Sequence, residues 1–263
     1  MMNSMQLALI KKDIRSITSN KRMFSVLLVV PLVMTVLFPS ILILTAMFAP
    51  TETSDFESML ALLPPNLQGE ELSQMIIRMI FNNIMPVFFL LIPIMAGSVM
   101  AASSFVGEKE KRTLETLLYS PLKLKQIFNA KIFASFVLSM AVSLLSFVVM
   151  LLVVETELQL VMGRMIFPDF SWLILMLLVS PALALIAITL IVRGSAKAQS
   201  MEESQQRSVF LIFPILMLAV GQFTGLMLVS TWLLLGLGIL LAAIAWLSLK
   251  SSFKKFSYET LLH

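Results

Sequence analysis

Along this chain, long uncharged apolar runs alternate with short charged segments. A helix rises about 1.5 Å per residue, so crossing about 30 Å of hydrocarbon takes about 20 predominantly apolar residues. Four runs reach that length without a charged side chain: Phe24 to Ala49, Met79 to Val106 with the crossing at about 82–106, Ile132 to Val154, and Phe170 to Val192. A fifth, Ser208 to Leu249, has 42 uncharged residues and would reach about 63 Å as one helix. It reads as two spans, about 208–226 and 231–249, turning between Gln222 and Thr231, where Gly221 and Gly225 form a small-xxx-small pair. A reentrant hairpin is the alternative for this run. The pattern predicts an all-α polytopic membrane protein of six transmembrane helices, with 1–263 a single transmembrane domain.

Between the runs the period changes from uniformly apolar to amphipathic. Leu7, Ile10, Ile14 and Ile17 recur at helical spacing while Lys11, Lys12 and Arg15 fall on other faces, the pattern of an interfacial helix whose bases meet anionic lipid. The connection Pro50 to Arg78 holds Ser54 and Glu57 at capping-box spacing, Phe56, Leu60 and Leu63 at helical spacing, and then Pro64 and Pro65, which predicts a short surface helix. In Gly107 to Lys131, Glu108 with Arg112 and Lys111 with Glu115 are opposite charges four residues apart, and Leu114, Leu117 and Leu118 lie on one side. Pro121 should end that helix near Ser120, and a second short helix from Leu122 should lead into the third span.

Composition supports the membrane reading. Hydrophobic residues make up 59% and charged residues 13%, against about a quarter charged in soluble domains, too few to coat a soluble core. The 19 Lys and Arg residues are lopsided: 17 fall in the amino-terminal segment, the loops after the second and fourth spans, and the tail, and only Arg78 and Arg164 fall elsewhere. Cytoplasmic segments carry the basic excess, so both termini are expected in the cytoplasm. The net charge of +4 is spread over these clusters rather than one face, which gives no ground for nucleic-acid binding. The first apolar run is too long for a cleaved leader.

Candidate chemistry is sparse. There is no cysteine, and the one histidine is His263, so thiolate catalysis and a Cys/His metal site are excluded. No catalytic residue or metal site is assigned, and no cofactor is expected on this chain. The phosphate-binding string GxxxxGK[ST] does not occur, so ATP hydrolysis would have to come from elsewhere. Ion-coupled transporters place ionisable groups within the membrane, and the six spans as drawn contain none. A noncatalytic anchor that recruits a cytoplasmic protein stays open.

The segment GEKEKRTLETLLYSPLKLKQIFNAK resembles the characteristic stretch of ABC-2 type permeases, the membrane subunits of ATP-driven exporters. The matching positions are Glu108, Glu110, Thr113, Leu114, Glu115, Leu117, Leu118 and Pro121. That family most often has glycine before the threonine, where this chain has Arg112. KKDIRSITSNKRMF resembles the family's interfacial helix, and SAKAQSMEESQQRS, residues 195–208, resembles the loop before the fifth span in the sodium-export branch, close also to drug and peptide exporters. The resemblance implies that Glu108, Glu110, Arg112, Thr113, Leu114, Glu115, Leu117 and Leu118 belong to a coupling helix seated in a cytoplasmic ABC ATPase dimer, which binds the ATP and Mg. It also implies a second permease copy or a related permease, a bacterial cytoplasmic membrane, and export of a drug, antimicrobial peptide, lipid or ion.

Overall fold

Inside hydrocarbon a backbone segment must satisfy its own N–H and C=O groups, and the apolar runs do so as helices. The computed structural model describes residues 3–48, 77–78, 80–111, 113, 120–163, 167–195, 198, 200–206, 208–223 and 231–255; among these there is no strand. In chain order the helices are α1 (Ser4–Thr18), α2 (Lys21–Phe48), α3 (Ile80–Glu110), α4 (Leu124–Met162), α5 (Phe170–Gly194), α6 (Met201–Gln206), α7 (Val209–Phe223) and α8 (Thr231–Lys255). A π-helical turn opens α3 at Ile80–Ile84, and another interrupts α5 at Leu175–Val179.

Among the described residues five helices are long and apolar enough to cross a membrane: α2, α3, α4, α5 and α8. The expected span at 208–226 corresponds to α7, whose 15 described residues cover about 22 Å, less than the hydrocarbon thickness. The turn expected before the last span falls in 224–230, outside the described residues. So do the surface helix expected at Ser54 to Leu63, Gly225, and Arg112, Leu114, Glu115, Leu117 and Leu118.

Two boundaries differ from the sequence reading. No separate short helix precedes the third span: α4 runs unbroken for 39 residues, about 58 Å. The reason is local, since neither proline nor glycine occurs between Leu122 and Met162, and the helix ends only at Gly163, whose φ of 64° is the left-handed conformation a C-terminal cap needs. The second span likewise continues past Val106 to Glu110. Helix α4 therefore contains Lys131, Glu155 and Glu157, ionisable groups that flank the uncharged stretch Ile132 to Val154.

Helices α3 and α5 form the centre. In their most apolar stretches 83% and 67% of the residues are buried, against 17 to 33% in α2, α4 and α8. The outer helices expose Val29, Val33, Leu37 and Ile41 on α2 and Leu144, Val148 and Leu152 on α4, a surface fit for lipid. Because lipid is as apolar as leucine, close packing and hydrogen bonds rather than water exclusion must hold the interior together. Accordingly, the inner face of α4 carries Ser135, Ser139, Ser143 and Ser146, all fully buried, small residues that let α3 approach. Ser139 Oγ donates to the carbonyl of Pro93 on α3 at 3.1 Å. One turn on, a Cβ at Gly97 would lie 3.3 Å from both the Ala184 carbonyl oxygen and Ile188 Cγ1 of α5. Trp172 closes the opposite end: its Nε1 donates to the Phe81 carbonyl at 3.2 Å, and its ring packs against Phe81, Phe89 and Phe147.

Two glycine substitutions separate packing from propensity. Gly97→Val should destabilise by about 1–3 kcal/mol, because the branch meets backbone that cannot withdraw. Gly236→Ala, with nothing within 4 Å of the new Cβ, should be neutral or stabilise by up to about 1 kcal/mol. Thermal unfolding of detergent-purified protein followed by tryptophan fluorescence distinguishes the two.

Candidate functional site

At one end of the bundle α1 lies across the start of α4. Its first turn is fixed by the Asn3 N–H donating to Gln6 Oε1 at 2.9 Å. Its buried face is Gln6, Leu9, Ile10, Asp13 and Ile17. Leu7, expected in the apolar stripe, is 58% exposed instead, while Ile14 is half-buried. Leu9 and Ile10 pack with Leu122, Ile127, Ala130 and Ala134 around the start of α4, so much of the stripe is covered by protein. Lys11 and Arg15 face outward.

Asp13 is turned inward because Lys131 is there to meet it. The Lys131 side chain is 2% exposed, and an unpaired ammonium at such a site would cost several kcal/mol. Its Nζ donates to the Ser104 carbonyl at 2.7 Å, to Ser104 Oγ at 3.3 Å and to Asp13 Oδ2 at 3.2 Å. Ser104 Oγ itself donates to Asp13 Oδ2 at 2.8 Å. Glu108 completes the group: its Oε2 stands 3.2 Å from Lys131 Nζ, and its Oε1 accepts from Lys12 Nζ at 2.7 Å. Two ammonium groups and two carboxylates thus cancel in formal charge while joining α1, α3 and α4. The Phe105 ring, 5.6 Å from Lys131 Nζ, adds a favourable cation–π contact.

Beyond Glu108 the chain leaves the helix in a defined way. The Thr113 N–H and hydroxyl both donate to the Glu108 carbonyl, at 2.9 and 3.3 Å, which holds Thr113 against the last turn of α3. Glu110 points elsewhere, its Oε1 accepting the Met201 N–H at the start of α6 at 2.8 Å. Met201 also covers Gly107, its Sδ lying 3.2 Å from where a Cβ would be. Helix α1, the end of α3, the start of α4 and the start of α6 therefore meet at one end of the molecule. Of the residues singled out from sequence, Lys12 and Glu108 are joined directly, Thr113 is bonded to Glu108, Glu110 sits beside α6, and Lys11 and Arg15 stay apart on the outer face of α1. Among the described residues no three His, Cys, Asp or Glu side chains are grouped to hold a metal ion.

A profile of the ABC-2 family transporter proteins matches residues 64–235, more than half of the chain. The chain belongs to the ABC-2 transporter family. No curated protein and no solved structure matches it. As an ABC-2 family protein it is a multi-pass membrane permease component of an ABC transporter, which works with an ABC ATPase subunit and is not itself the ATPase.

Within this ABC-2 chain, sequence reasoning missed Asp13, Ser104 and Lys131. A signal was present for the first: Asp13 is in register with Ile10 and Ile17 on the stripe that packs inward. A carboxylate on such a face asks for a cation, and Lys131 supplies it from α4, in register with Leu124 and buried beside Ile127, Phe128 and Ile132.

Removing one ion of this group should be costly and removing a pair should not. Lys131→Met leaves two carboxylates facing one ammonium and should lower stability by about 3–5 kcal/mol. Lys131→Met combined with Asp13→Asn retains the neutral Lys12 and Glu108 pair and should recover more than half of that loss. A double-mutant cycle on detergent melting curves measures the coupling.

Proposed function

We propose that this chain is the permease subunit of an ATP-binding cassette exporter, driven through the segment that joins α3 to α4. Family membership supports a transport subunit with an ATPase partner. The observation that carries the finer reading is that this segment is anchored at its start to three helices at once: Glu108 is held by Lys12 of α1 and by Lys131 of α4. A push delivered to Glu110, Arg112, Thr113, Leu114, Glu115, Leu117 and Leu118 would reach the membrane helices as a movement of a joined unit rather than being absorbed by a slack loop. ATP and Mg would be bound by the ATPase dimer, and a second permease, identical or related, would complete the pathway.

The distribution of Lys and Arg supports an orientation with both termini and this segment in the cytoplasm, within a bacterial cytoplasmic membrane. The permease pair is then the two-state element that the ATPase biases. The cargo belongs to the drug, peptide, lipid or ion classes exported by such systems.

The test is ATP turnover by a cognate ABC ATPase in lipid vesicles with and without this chain. Wild type should change the ATPase rate, and a Glu110→Ala, Leu114→Ala, Glu115→Ala variant that inserts and melts like wild type should abolish the change. An ATPase that neither binds the wild-type chain nor responds to it would sink the exporter reading.

A further inference from the structure

Beside the ion group, between α1 and the end of α3, lies a cleft of about 180 Å³. Its mouth is set by Lys12, Ser16, Ser103, Lys111 and Thr113, and its inner wall by Asp13 and Glu108. The wall's charge is already answered from behind, because Lys131 stands 3.2 Å from a carboxylate oxygen of each acid. Counting Lys131, three cations face two anions, and the cleft keeps one positive charge in excess. The donors that carry the excess are available. An ammonium has three N–H donors, and Lys12, with its side chain 56% exposed, uses one on Glu108. Among the described residues the Lys111 ammonium and the Ser16 hydroxyl have no hydrogen-bond or ion-pair partner.

Depth decides what would fill it. The cleft sits where the span Met23–Thr45 begins and where the span Ile80–Glu110 ends, and the ends of helices long enough to cross the hydrocarbon reach the headgroups. We infer that this cleft binds the phosphate group of an anionic lipid, with Lys111 and Lys12 as the charged contacts and Ser16 as a hydroxyl donor. Lys11 and Arg15, on the outer face of α1, raise the local concentration of such lipids without touching the bound one. A bound phosphate would also share Lys12 with Glu108, so lipid occupancy would act on the same contact that fastens α1 to α3. The inference does not depend on an ATPase partner and goes beyond the permease reading.

Native mass spectrometry of the full chain, released from mixed phosphatidylglycerol and phosphatidylcholine nanodiscs, tests it. Wild type should retain phosphatidylglycerol selectively. Lys111→Glu, which lies outside the buried ion group, should weaken retention by at least about tenfold. Lys11→Glu makes the same charge change outside the cleft and should retain the lipid. Should Lys111→Glu melt below wild type, Lys111→Ala carries the same comparison. Equal retention of both lipids, or equal loss in the Lys11 and Lys111 variants, would overturn the site. Displacement of the lipid by millimolar inorganic phosphate would assign the cleft to a soluble oxyanion and overturn the lipid assignment.

Discussion

An ammonium group withdrawn from water must be answered by charge, and at Lys131 that requirement organises one end of the molecule. The answer comes from three stretches of chain that are far apart in sequence: Asp13 on α1, and Ser104 with Glu108 on α3. None of these helices can shift alone without uncovering a buried ion, so α1 is fixed as part of the bundle rather than left to find its own depth in the interface. Glu108 has two duties, completing the ion group with its carboxylate and receiving Thr113 with its carbonyl. The α3 to α4 connection therefore starts from a fixed point.

Elsewhere the interior relies on fit. The serines of α4 and Gly97 of α3 allow close approach, and Ser139 adds a bond to backbone across the gap. Trp172 performs a related task at the far end, giving the Phe81 carbonyl in the π turn of α3 a partner. An otherwise unpaired carbonyl is what makes irregular backbone expensive in lipid. The opening of α3 is thus irregular and still satisfied.

The membrane spans were legible because absence of charge over about 20 residues is a strong signal. Their ends were not, and α4 shows why. Lys131, Glu155 and Glu157 interrupt the apolar composition, yet no residue there interrupts a helix, so hydropathy stopped where hydrogen bonding did not. The buried face of α1 was half legible. The period was right, but the stripe was drawn through Leu7 when Leu9 and Asp13 turn inward, since a polar residue on an inner face is intelligible only with its partner. That partner lies 118 residues away, beyond the reach of periodicity or spacing. The segment of Glu108 to Leu118 was singled out by charge pairing together with its family resemblance, and neither could give the inward direction of Glu108.

The unbroken length of α4 has a mechanical consequence. A helix of about 58 Å gripped by an ion group at Lys131 is a lever: Glu157 lies about 39 Å further along it, and rotating the helix by about 5° about that grip would sweep that end through about 3 Å. The far end holds Glu157, which receives a hydrogen bond from Ser40 of α2. A small adjustment where α1, α3 and α4 meet would arrive on the other side of the bilayer as a displacement large enough to break or remake that contact, with no intermediate element to relay it.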